Sequence, residues 1–592
     1  MPFDGLTIRA VTDELHETLL NARIDKIFQP EKDELIFLIR QSSTGANHRL
    51  LISANVNWAR IHLDSNKNSN PVSPPSFCML LRKYLEGGKI KSIEQIDFER
   101  IVHITIEALD DFREWKEKVL ICEFMGRHSN IILTDPDSGI ILDAIKRFGS
   151  DVNSFREVLP GKPYIKPPEQ DKLNPLTATE EEFSARVWSL NKDRLLGQVL
   201  FDIFTGISPV SSRDICFASG LDPTLPAEES GPFEHQTLYH YLQQRLQDVA
   251  QGMTAPTLIY KKGQLADYSP FPFTPADAGD NKLTMNETLD VFYHTKWQIM
   301  RLETFRSNYQ RRVNDLLDKA HKKRFYQEGD LTRALKNDQY RIWGELLTSY
   351  AHTFQKGDQE VTLNNFYTGL PETIPLDLRY NPIQNAQKYF KIYNKSRRAI
   401  VILEELLKKN AEEIEYLDSV ILSLSLAESL PELEEIVEEL EKGGYIKSKT
   451  GKKGKTRTPE MSLPRSFISS DGLTILVGRN NRQNDLLTLK QADRDDLWFH
   501  TRDIPGSHVI VRLEQKTGSI HDVPDKTLEE AAALAAYYSK ARLSSKVPVD
   551  YTFRSNVKKP GGAKPGKVIY DNYWTIMADP QDQNILGGMI YV

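Results

Sequence analysis

The first part of the chain alternates short apolar runs with polar turns. Its strand-length runs are RIDKIF, ELIFLIR, RLLISA, VHITIEAL, NIILTD and GIILDAI, and one helical pattern, CMLLRKYLEG, ends at Gly87 and Gly88. Apolar residues at alternate positions predict half-buried strands, and glycine after a helical run marks the end of a helix. We therefore predict a mixed α+β domain over residues 1–170, closed by the proline cluster LPGKPYIKPPEQ.

Residues 171–280 contain short helical segments. In LLGQVLFDIFTGISPVSSRDICFASGL, residues 206–209 separate two amphipathic pieces. The pattern predicts a helical domain with a helix-hairpin-helix-like pair, whose turn can present backbone amides to a phosphate. An ordinary helical hairpin is the alternative.

Two long stretches, residues 286–355 and 383–441, contain few prolines or glycines and far exceed the usual helix length of about 11 residues. Residues 296–355 carry 12 basic and 7 acidic groups, whereas residues 401–441 carry 13 acidic and 2 basic groups. Because these charges complement each other, we predict an antiparallel coiled-coil arm. The connection near residues 371–382 lies at its tip, either as a solvated loop or as a contact for a distant partner.

The arm, bounded at residues 281–445, is followed by a segment rich in Gly, Lys and Thr, which predicts a flexible basic linker over residues 446–466. A final α/β domain covers residues 467–592. Within it, Thr527 and Glu530 form a capping-box pattern ahead of an alanine-rich helix. The expected fold class is therefore α+β and multidomain, with a mixed N-terminal domain, a helical domain, a long arm and this C-terminal domain.

The segment LWFHTRDIPGSHVIVR, residues 497–512, predicts a β-hairpin. In its turn, Pro505 fixes its own backbone angle and Gly506 is free to take positive φ. At period two one face of the hairpin is apolar core. The opposite face carries Trp498, His500, Arg502, His508, Ile510 and Arg512.

That second face allows several interpretations. A zinc site needs three or four ligands, and the hairpin offers two histidines without cysteine. Acid–base catalysis needs a positioned partner and a pocket, and satisfied structural side chains are a further alternative. We favour an RNA surface, because a stacking aromatic ring, imidazoles and guanidinium groups share one face.

A glycine- and proline-rich loop, NVKKPGGAKPGK, adds basic side chains near the C-terminus. Exposed backbone and ammonium groups in such a loop can approach phosphates closely, although a solubilising loop is the alternative. The lysines concerned are Lys558, Lys559, Lys564 and Lys567.

Composition narrows the class of protein. The 592 residues, 40% of them apolar, are enough for about four domains. No apolar run approaches the roughly 20 residues of a membrane span and no signal peptide precedes the first domain, so we expect a cytoplasmic protein without a membrane partner.

Three cysteines lie far apart, which argues against disulfides or a zinc ribbon. The net charge is −6, yet residues 441–592 carry 24 Lys+Arg against 17 Asp+Glu, which indicates a polyanionic partner.

The motifs resemble those of the NFACT family. LWFHTRDIPGSHVIVR and VKKPGGAKPGKVIY are similar to its C-terminal RNA-binding domain, and FDGLTIRAVTDEL, PPSFCMLLRKYLEGGKI and EFMGRHSNIILTD to its N-terminal domain. NPIQNAQKYFKIYNK matches a motif in the middle of the family, so the resemblance covers essentially the whole chain. The length, without large acidic insertions, is that of the bacterial members.

The resemblance implies a ribosome quality control factor. Such proteins bind the large ribosomal subunit that still holds peptidyl-tRNA, recruit alanyl-tRNA and promote templateless alanine tailing, which marks the nascent chain for proteolysis. Further quality-control factors are possible partners, whereas DNA, a metal and a cofactor are not expected. Because the ribosome would form the peptide bond, we expect a positioning factor and not an enzyme.

The resemblance also implies tRNA-contacting residues. The family has an aspartate where Glu99 stands, so Asp97 is an alternative acid, and it more often has an aliphatic residue where Phe124 stands. Phe124 could instead belong to the core, with Arg127 and His128 exposed. The implied tRNA-binding residues are Asp4, Asp97, Glu99, Arg100, Glu123, Phe124, Met125, Arg127 and His128.

Two other functions are alternatives. A DNA glycosylase/lyase is suggested by a distant likeness of fold and by Pro2, whose secondary amine could attack a sugar carbon. Phe3 follows Pro2 where those enzymes have glutamate, and the three cysteines cannot supply their zinc finger. A fibronectin-binding adhesin, the older description of the N-terminal domain, lacks a secretion signal in this sequence.

Overall fold

The structure is a computed structural model that divides into two compact units, Met1–Ile299 and Met300–Val592. Pro2 and most of the predicted basic linker lie outside the described residues. These are residues 3–66, 73–110, 112–151, 155–168, 170–190, 193–261, 263–272, 283–447, 462–513, 520, 523–587 and 589–591.

The first unit is built on a nine-stranded antiparallel sheet. Apolar side chains at alternate positions of its strands form a core with the first two helices, whose buried residues recur at helical spacing, as Leu15 and Leu19 do. The sheet order is β4-β3-β2-β1-β5-β6-β7-β8-β9. The elements are α1 (Gly5–Leu19), β1 (Arg23–Glu31), β2 (Glu34–Arg40), β3 (Asn47–Ser53), β4 (Arg60–Leu63), α2 (Ser76–Leu85), β5 (Lys89–Gln95), β6 (Ile101–Leu109), β7 (Trp115–Glu123), β8 (Asn130–Asp135) and β9 (Ile140–Ala144).

A helical part follows the sheet and contains the predicted helix pair. Between its two helices, Gly206 adopts a φ of 73°, a conformation that glycine takes without steric cost. The elements are α3 (Glu180–Trp188), α4 (Val199–Ile203), α5 (Pro209–Ala218), α6 (Pro232–Ala250), and the hairpin strands β10 (Thr257–Lys261) and β11 (Gln264–Ser269).

The predicted long arm is confirmed. Two hydrogen bonds show that its helices run antiparallel. The side-chain amide of Asn410 donates to the Ala320 carbonyl at 2.9 Å, and that of Asn337 donates to the Ser396 hydroxyl at 2.8 Å. Such buried polar pairs define the register between two helices. The elements are α7 (Met285–Lys336), α8 (Gln339–Ser349), β12 (Glu360–Asn364), β13 (Pro371–Pro375), α9 (Pro382–Leu426) and α10 (Leu430–Lys442).

Of the two alternatives for the tip, the plain solvated loop is wrong, and a contact with a distant partner stays a prediction. The β12–β13 hairpin and α8 form a small core in which Leu346, Leu347, Leu363 and Ile374 are buried. Alternating apolar side chains in these short strands close over the start of α9. The arm therefore ends in a folded unit.

The C-terminal domain has a seven-stranded antiparallel sheet with α12 packed on one face. The sheet order is β21-β18-β16-β17-β15-β14-β22, and β19 and β20 form a separate pair. The elements are β14 (Arg465–Ile468), β15 (Thr474–Val477), α11 (Asn481–Leu486), β16 (Leu497–Thr501), β17 (Val509–Val511), α12 (Asp525–Tyr537), β18 (Val547–Phe553), β19 (Val557–Lys558), β20 (Ile569–Tyr570), β21 (Trp574–Ala578), α13 (Gln583–Leu586) and β22 (Ile590–Tyr591).

The predicted capping box in this domain was also wrong. Helix α12 begins at Asp525, so Thr527 and Glu530 lie inside it. The Thr527 hydroxyl donates to Asp471 Oδ2 at 2.7 Å, and the Glu530 carboxylate accepts from the Ser470 amide at 3.0 Å. Both side chains are buried and hold the β14–β15 turn against the helix.

Candidate nucleic-acid interface

Two turns lie side by side at one end of the first-unit sheet. The first, residues 96–100, joins β5 to β6, and the second, residues 124–129, joins β7 to β8. They share an edge because Ile101 pairs with Glu123 in the antiparallel register. The Phe124 amide donates to the Arg100 carbonyl at 2.9 Å, which ties one turn to the other.

The first turn packs directly on the α4–α5 connection. Asp97 and Phe98 both have positive φ, 48° and 58°, so the chain reverses sharply at this point. A Cβ on Gly206 would lie 2.2 Å from the Phe98 carbonyl oxygen. Glycine is therefore required there for the close approach as well as for its backbone angle. Asp97 remains exposed and pairs with Lys166 at 3.0 Å.

Among the charged side chains of the first turn, Arg100 has the fewest partners within the described residues. Its side chain is half-buried, and no hydrogen bond or ion pair of its guanidinium occurs within the described part of the chain. Burial raises the pKa of the neighbouring Glu99, although Arg100 acts in the opposite direction. Lys172 adds a second positive charge nearby, and burial lowers its pKa. Lys172 gave no signal in the sequence because it stands alone beyond the proline cluster.

Asp4 does not reach the surface, which argues against its predicted direct contact with tRNA. It is 2% exposed and caps α1 by accepting from the Thr7 amide at 3.2 Å. Its other oxygen accepts from the Ser208 amide at 3.2 Å and from the Ser211 hydroxyl. Asp4 thus fastens α1 to the start of α5. The Ser208 amide is used inside the protein, which favours the ordinary helical hairpin over a phosphate-binding turn.

The second turn is anchored by buried side chains, and the burial of Glu123 and Phe124 argues against their predicted direct contacts with tRNA. Glu123 is 0% exposed. Phe124 is 1% exposed and packs edge-on against Phe3, with ring centroids 5.2 Å apart. The alternative that Phe124 belongs to the core is correct. Met125 is half-buried and packs on a neighbouring apolar cluster.

Arg127 and His128 are the exposed side chains of the second turn. Arg127 Nε donates to His128 Nε2 at 2.9 Å. Both residues belong to a single 3-10 turn, which begins directly after Met125. Arg127 and Arg100 give this edge of the sheet two guanidinium groups that can pair with phosphates.

The C-terminal hairpin has the predicted strands, but its second face is not a surface. Trp498 and His508 are 0% and 1% exposed, and residues 557–570 help to cover them. The Trp498 ring lies 5.7 Å from His500 and 4.8 Å from Tyr570. Burial lowers the pKa of His500 and holds that of His508 well below its ordinary value. Trp498 therefore stacks inside the domain, and the expected exposed aromatic was wrong.

The hairpin arginines are half-exposed but engaged. Arg502 donates to Asp550 at 2.8 and 3.0 Å, and Arg512 to Asp496 at 2.9 Å. Each guanidinium is oriented by a carboxylate and remains partly exposed, with 39% of the Arg502 and 31% of the Arg512 side chain accessible.

The turn of the hairpin also differs from the expectation. Asp503, with φ 54°, takes the left-handed angle that was expected of Gly506. Gly506 is needed for space, since a Cβ there would lie 2.8 Å from Thr501 Oγ1. The glycine thus serves close packing in this turn.

The loop that carries the four lysines, residues 556–567, contacts helix α9 of the arm. The ammonium group of Lys564 lies 4.9 Å from the Tyr416 ring centroid and 4.8 Å from that of Tyr445. The other lysines also have acidic neighbours but differ in exposure: Lys559, paired with Asp485, is 26% exposed, Lys567, paired with Glu415, is 40% exposed, and Lys558, 4.0 Å from Asp571, is 69% exposed. Lys558 is therefore the most accessible of the four predicted phosphate-contacting lysines.

Within the described ranges, no three His, Cys, Asp or Glu side chains are grouped so that they could hold a metal ion. None of the helices described is long and apolar enough to cross a membrane.

Comparison with known proteins assigns both parts of the chain. Residues 4–459 match the NFACT N-terminal and middle domains, and residues 464–572 match the NFACT protein RNA binding domain. The Rqc2 homolog RqcH of Bacillus subtilis is 38% identical over 99% of each chain. The human ribosome quality control complex subunit NEMF is 31% identical over 152 residues, 25% of this chain and 13% of that one. The N-terminal structure of a fibronectin/fibrinogen-binding protein from Streptococcus suis is 31% identical, covers 50% of this chain and 99% of that one, and has a TM-score of 0.41.

Proposed function

The chain belongs to the NFACT family, and on that premise we propose that it acts in ribosome quality control. In this role it binds the large ribosomal subunit that still carries peptidyl-tRNA and recruits alanyl-tRNA. It promotes templateless addition of alanine to the stalled nascent chain, which is thereby marked for degradation. The site of action is the cytoplasm, where ribosomes work.

The observation that carries this proposal is the similarity to RqcH over 99% of both chains at 38% identity. A relationship of that extent includes the arm and both ends of the chain. The exposed Arg127 and the half-buried Arg100 of the two adjoining turns support a contact with an RNA backbone, since guanidinium groups pair well with phosphate oxygens. The arm, with a helix of 52 residues, supplies reach across a large particle.

In this proposal the chain positions tRNA, and the ribosome forms the peptide bond. Arg100 and Arg127 are the direct contacts that we assign in the first unit. Their side chains come from neighbouring turns of a rigid sheet, which keeps the distance between them nearly constant. Such rigid presentation lowers the entropic cost of binding a structured RNA.

The proposal is tested by identifying the RNA and the particles that the protein carries in cells. Affinity-tagged full-length protein is purified after translation has been stalled on a reporter without a stop codon. We expect enrichment of large-subunit RNA and of alanine tRNA, and mass spectrometry should detect alanine residues added to the reporter. A purified fraction containing neither tRNA nor ribosomal RNA would refute the proposed function.

A further inference from the structure

The second turn depends on a buried ion pair whose cationic member, Arg156, lies 33 residues farther along the chain. Glu123, the last residue of β7, accepts from Arg156 Nη1 at 2.7 Å and from Nη2 at 2.6 Å. Tyr164 donates its hydroxyl to the same carboxylate at 2.9 Å. With three donors and no exposed surface, this carboxylate has no room to accept from a nucleotide base.

Arg156 is equally inaccessible, with 5% of its surface exposed. It also donates to the Ile165 carbonyl at 2.9 Å. Its guanidinium therefore joins the end of β7 to the segment around residues 155–165. A planar guanidinium that binds a carboxylate through two parallel hydrogen bonds fixes direction as well as distance.

The residue that follows Glu123 transmits this restraint. Phe124 is held in the core, and its amide donates to the Arg100 carbonyl at 2.9 Å. The next residues form the 3-10 turn that exposes Arg127 and His128. A displacement of Glu123 would consequently move the cations of both turns, although neither Arg127 nor Arg100 touches the ion pair.

We propose that Arg156 is a positioning residue for tRNA binding, which acts through Glu123 and Tyr164 to hold the exposed side chains of both turns in place. The inference rests on the proposed function. It replaces a direct contact between the Glu123 carboxylate and tRNA with an indirect one.

The test measures tRNA affinity and thermal unfolding of the full-length chain in parallel, with fluorescently labelled tRNA and at a temperature where every variant is folded. Arg156→Met should weaken tRNA binding by roughly tenfold or more, because a small misplacement of binding groups is costly. Lys118→Met is the matched control. Lys118 is 7% exposed and pairs with Asp135 at 3.1 Å. This pair joins β7 to β8 at the end of the two strands that lies opposite the second turn. We expect this control to lose stability and to keep wild-type affinity.

A double substitution separates positioning from direct contact. If Glu123 acts only through Arg156, Glu123→Gln added to Arg156→Met should weaken binding no further, since both changes remove one interaction. A further loss in the double variant would show that Glu123 touches tRNA and would overturn the inference, as would wild-type affinity in Arg156→Met.

A milder variant covers the case in which Arg156→Met does not fold. Tyr164→Phe keeps the ion pair and removes one hydrogen bond, so we expect a smaller loss of affinity, roughly threefold. Unchanged affinity in Tyr164→Phe would then overturn the inference. If the unaltered chain binds no tRNA, the proposed function fails and the inference fails with it.

Discussion

Arg100→Ala should abolish tRNA recruitment without weakening the fold. The guanidinium has no hydrogen bond or ion pair within the described part of the chain. Its loss should therefore change the free energy of unfolding by no more than about 0.5 kcal/mol, as for an ordinary surface substitution. Glu123→Ala, in contrast, would remove the carboxylate of a buried ion pair with Arg156, at a cost of about 3–5 kcal/mol.

The expected effect on binding is much larger than the effect on stability. One guanidinium contact at an RNA surface contributes about 1–3 kcal/mol, which corresponds to roughly 5- to 150-fold in affinity. If Arg100 contacts a phosphate, the plot of log affinity against log salt concentration should also become less steep. The slope should change by about one unit, which corresponds to one released counterion. Alanine tailing, which requires recruitment, should be lost with it.

The assay is fluorescence anisotropy with labelled alanine tRNA over a range of salt concentrations, combined with urea unfolding of the same samples. Arg113→Ala is a suitable control. Arg113 is exposed and lies in the turn at the opposite end of β6. We expect it to match the unaltered chain in both measurements.

Two results would refute this reasoning. Wild-type affinity in Arg100→Ala would remove Arg100 from the interface. An affinity loss accompanied by an equal loss of folding stability would show that Arg100 acts through the fold.

Three further predictions concern the arm and the C-terminal domain. Replacing residues 338–395 by a short Gly/Ser linker, which joins Asn337 to its hydrogen-bond partner Ser396, should abolish large-subunit binding in sedimentation assays; retained binding would show that the tip is not the anchor. Trp498→Ala should lower the free energy of unfolding by about 3–5 kcal/mol, because it empties a fully buried site, and a loss below about 1 kcal/mol in urea unfolding would contradict that burial. Burial holds the pKa of His508 well below its ordinary value of 6.5, so the unfolded chain binds the additional proton as pH falls. Stability should then decrease by about 1.4 kcal/mol between pH 7.5 and 5.5, and a His508→Gln variant with the same pH dependence would exclude His508 as the cause.

Much of the architecture follows from local patterns. Apolar runs predicted β1, β2, β3, β6, β8 and β9 of the first-unit sheet but not β4, β5 or β7, and long stretches without breakers predicted α7 and α9. The hairpin of residues 497–512 was also predictable, since two apolar runs flank a turn that contains Pro505. These features depend on neighbouring residues, so the sequence alone was sufficient for them.

The exposure of functional side chains required the tertiary structure. Period two shows that Trp498 and His508 share a face, but the segment that covers this face comes from residues 557–570. The folded tip of the arm was unpredictable for a similar reason. Helix α8 covers one face of the β12–β13 hairpin, and the sequence of the hairpin does not indicate that cover.

The partners of buried charges were equally beyond local reasoning. Asp4 contacts Ser211, 207 residues away, and Glu123 contacts Arg156 across 33 residues. A carboxylate looks the same in sequence whether it faces a partner molecule or a buried guanidinium, because only the packing of distant segments determines its solvation. The sequence therefore determined the elements and the family, and the three-dimensional packing decided that Arg127 is exposed and Arg100 half-buried without an ion pair among the described residues, while Asp4 and Glu123 hold the fold in place.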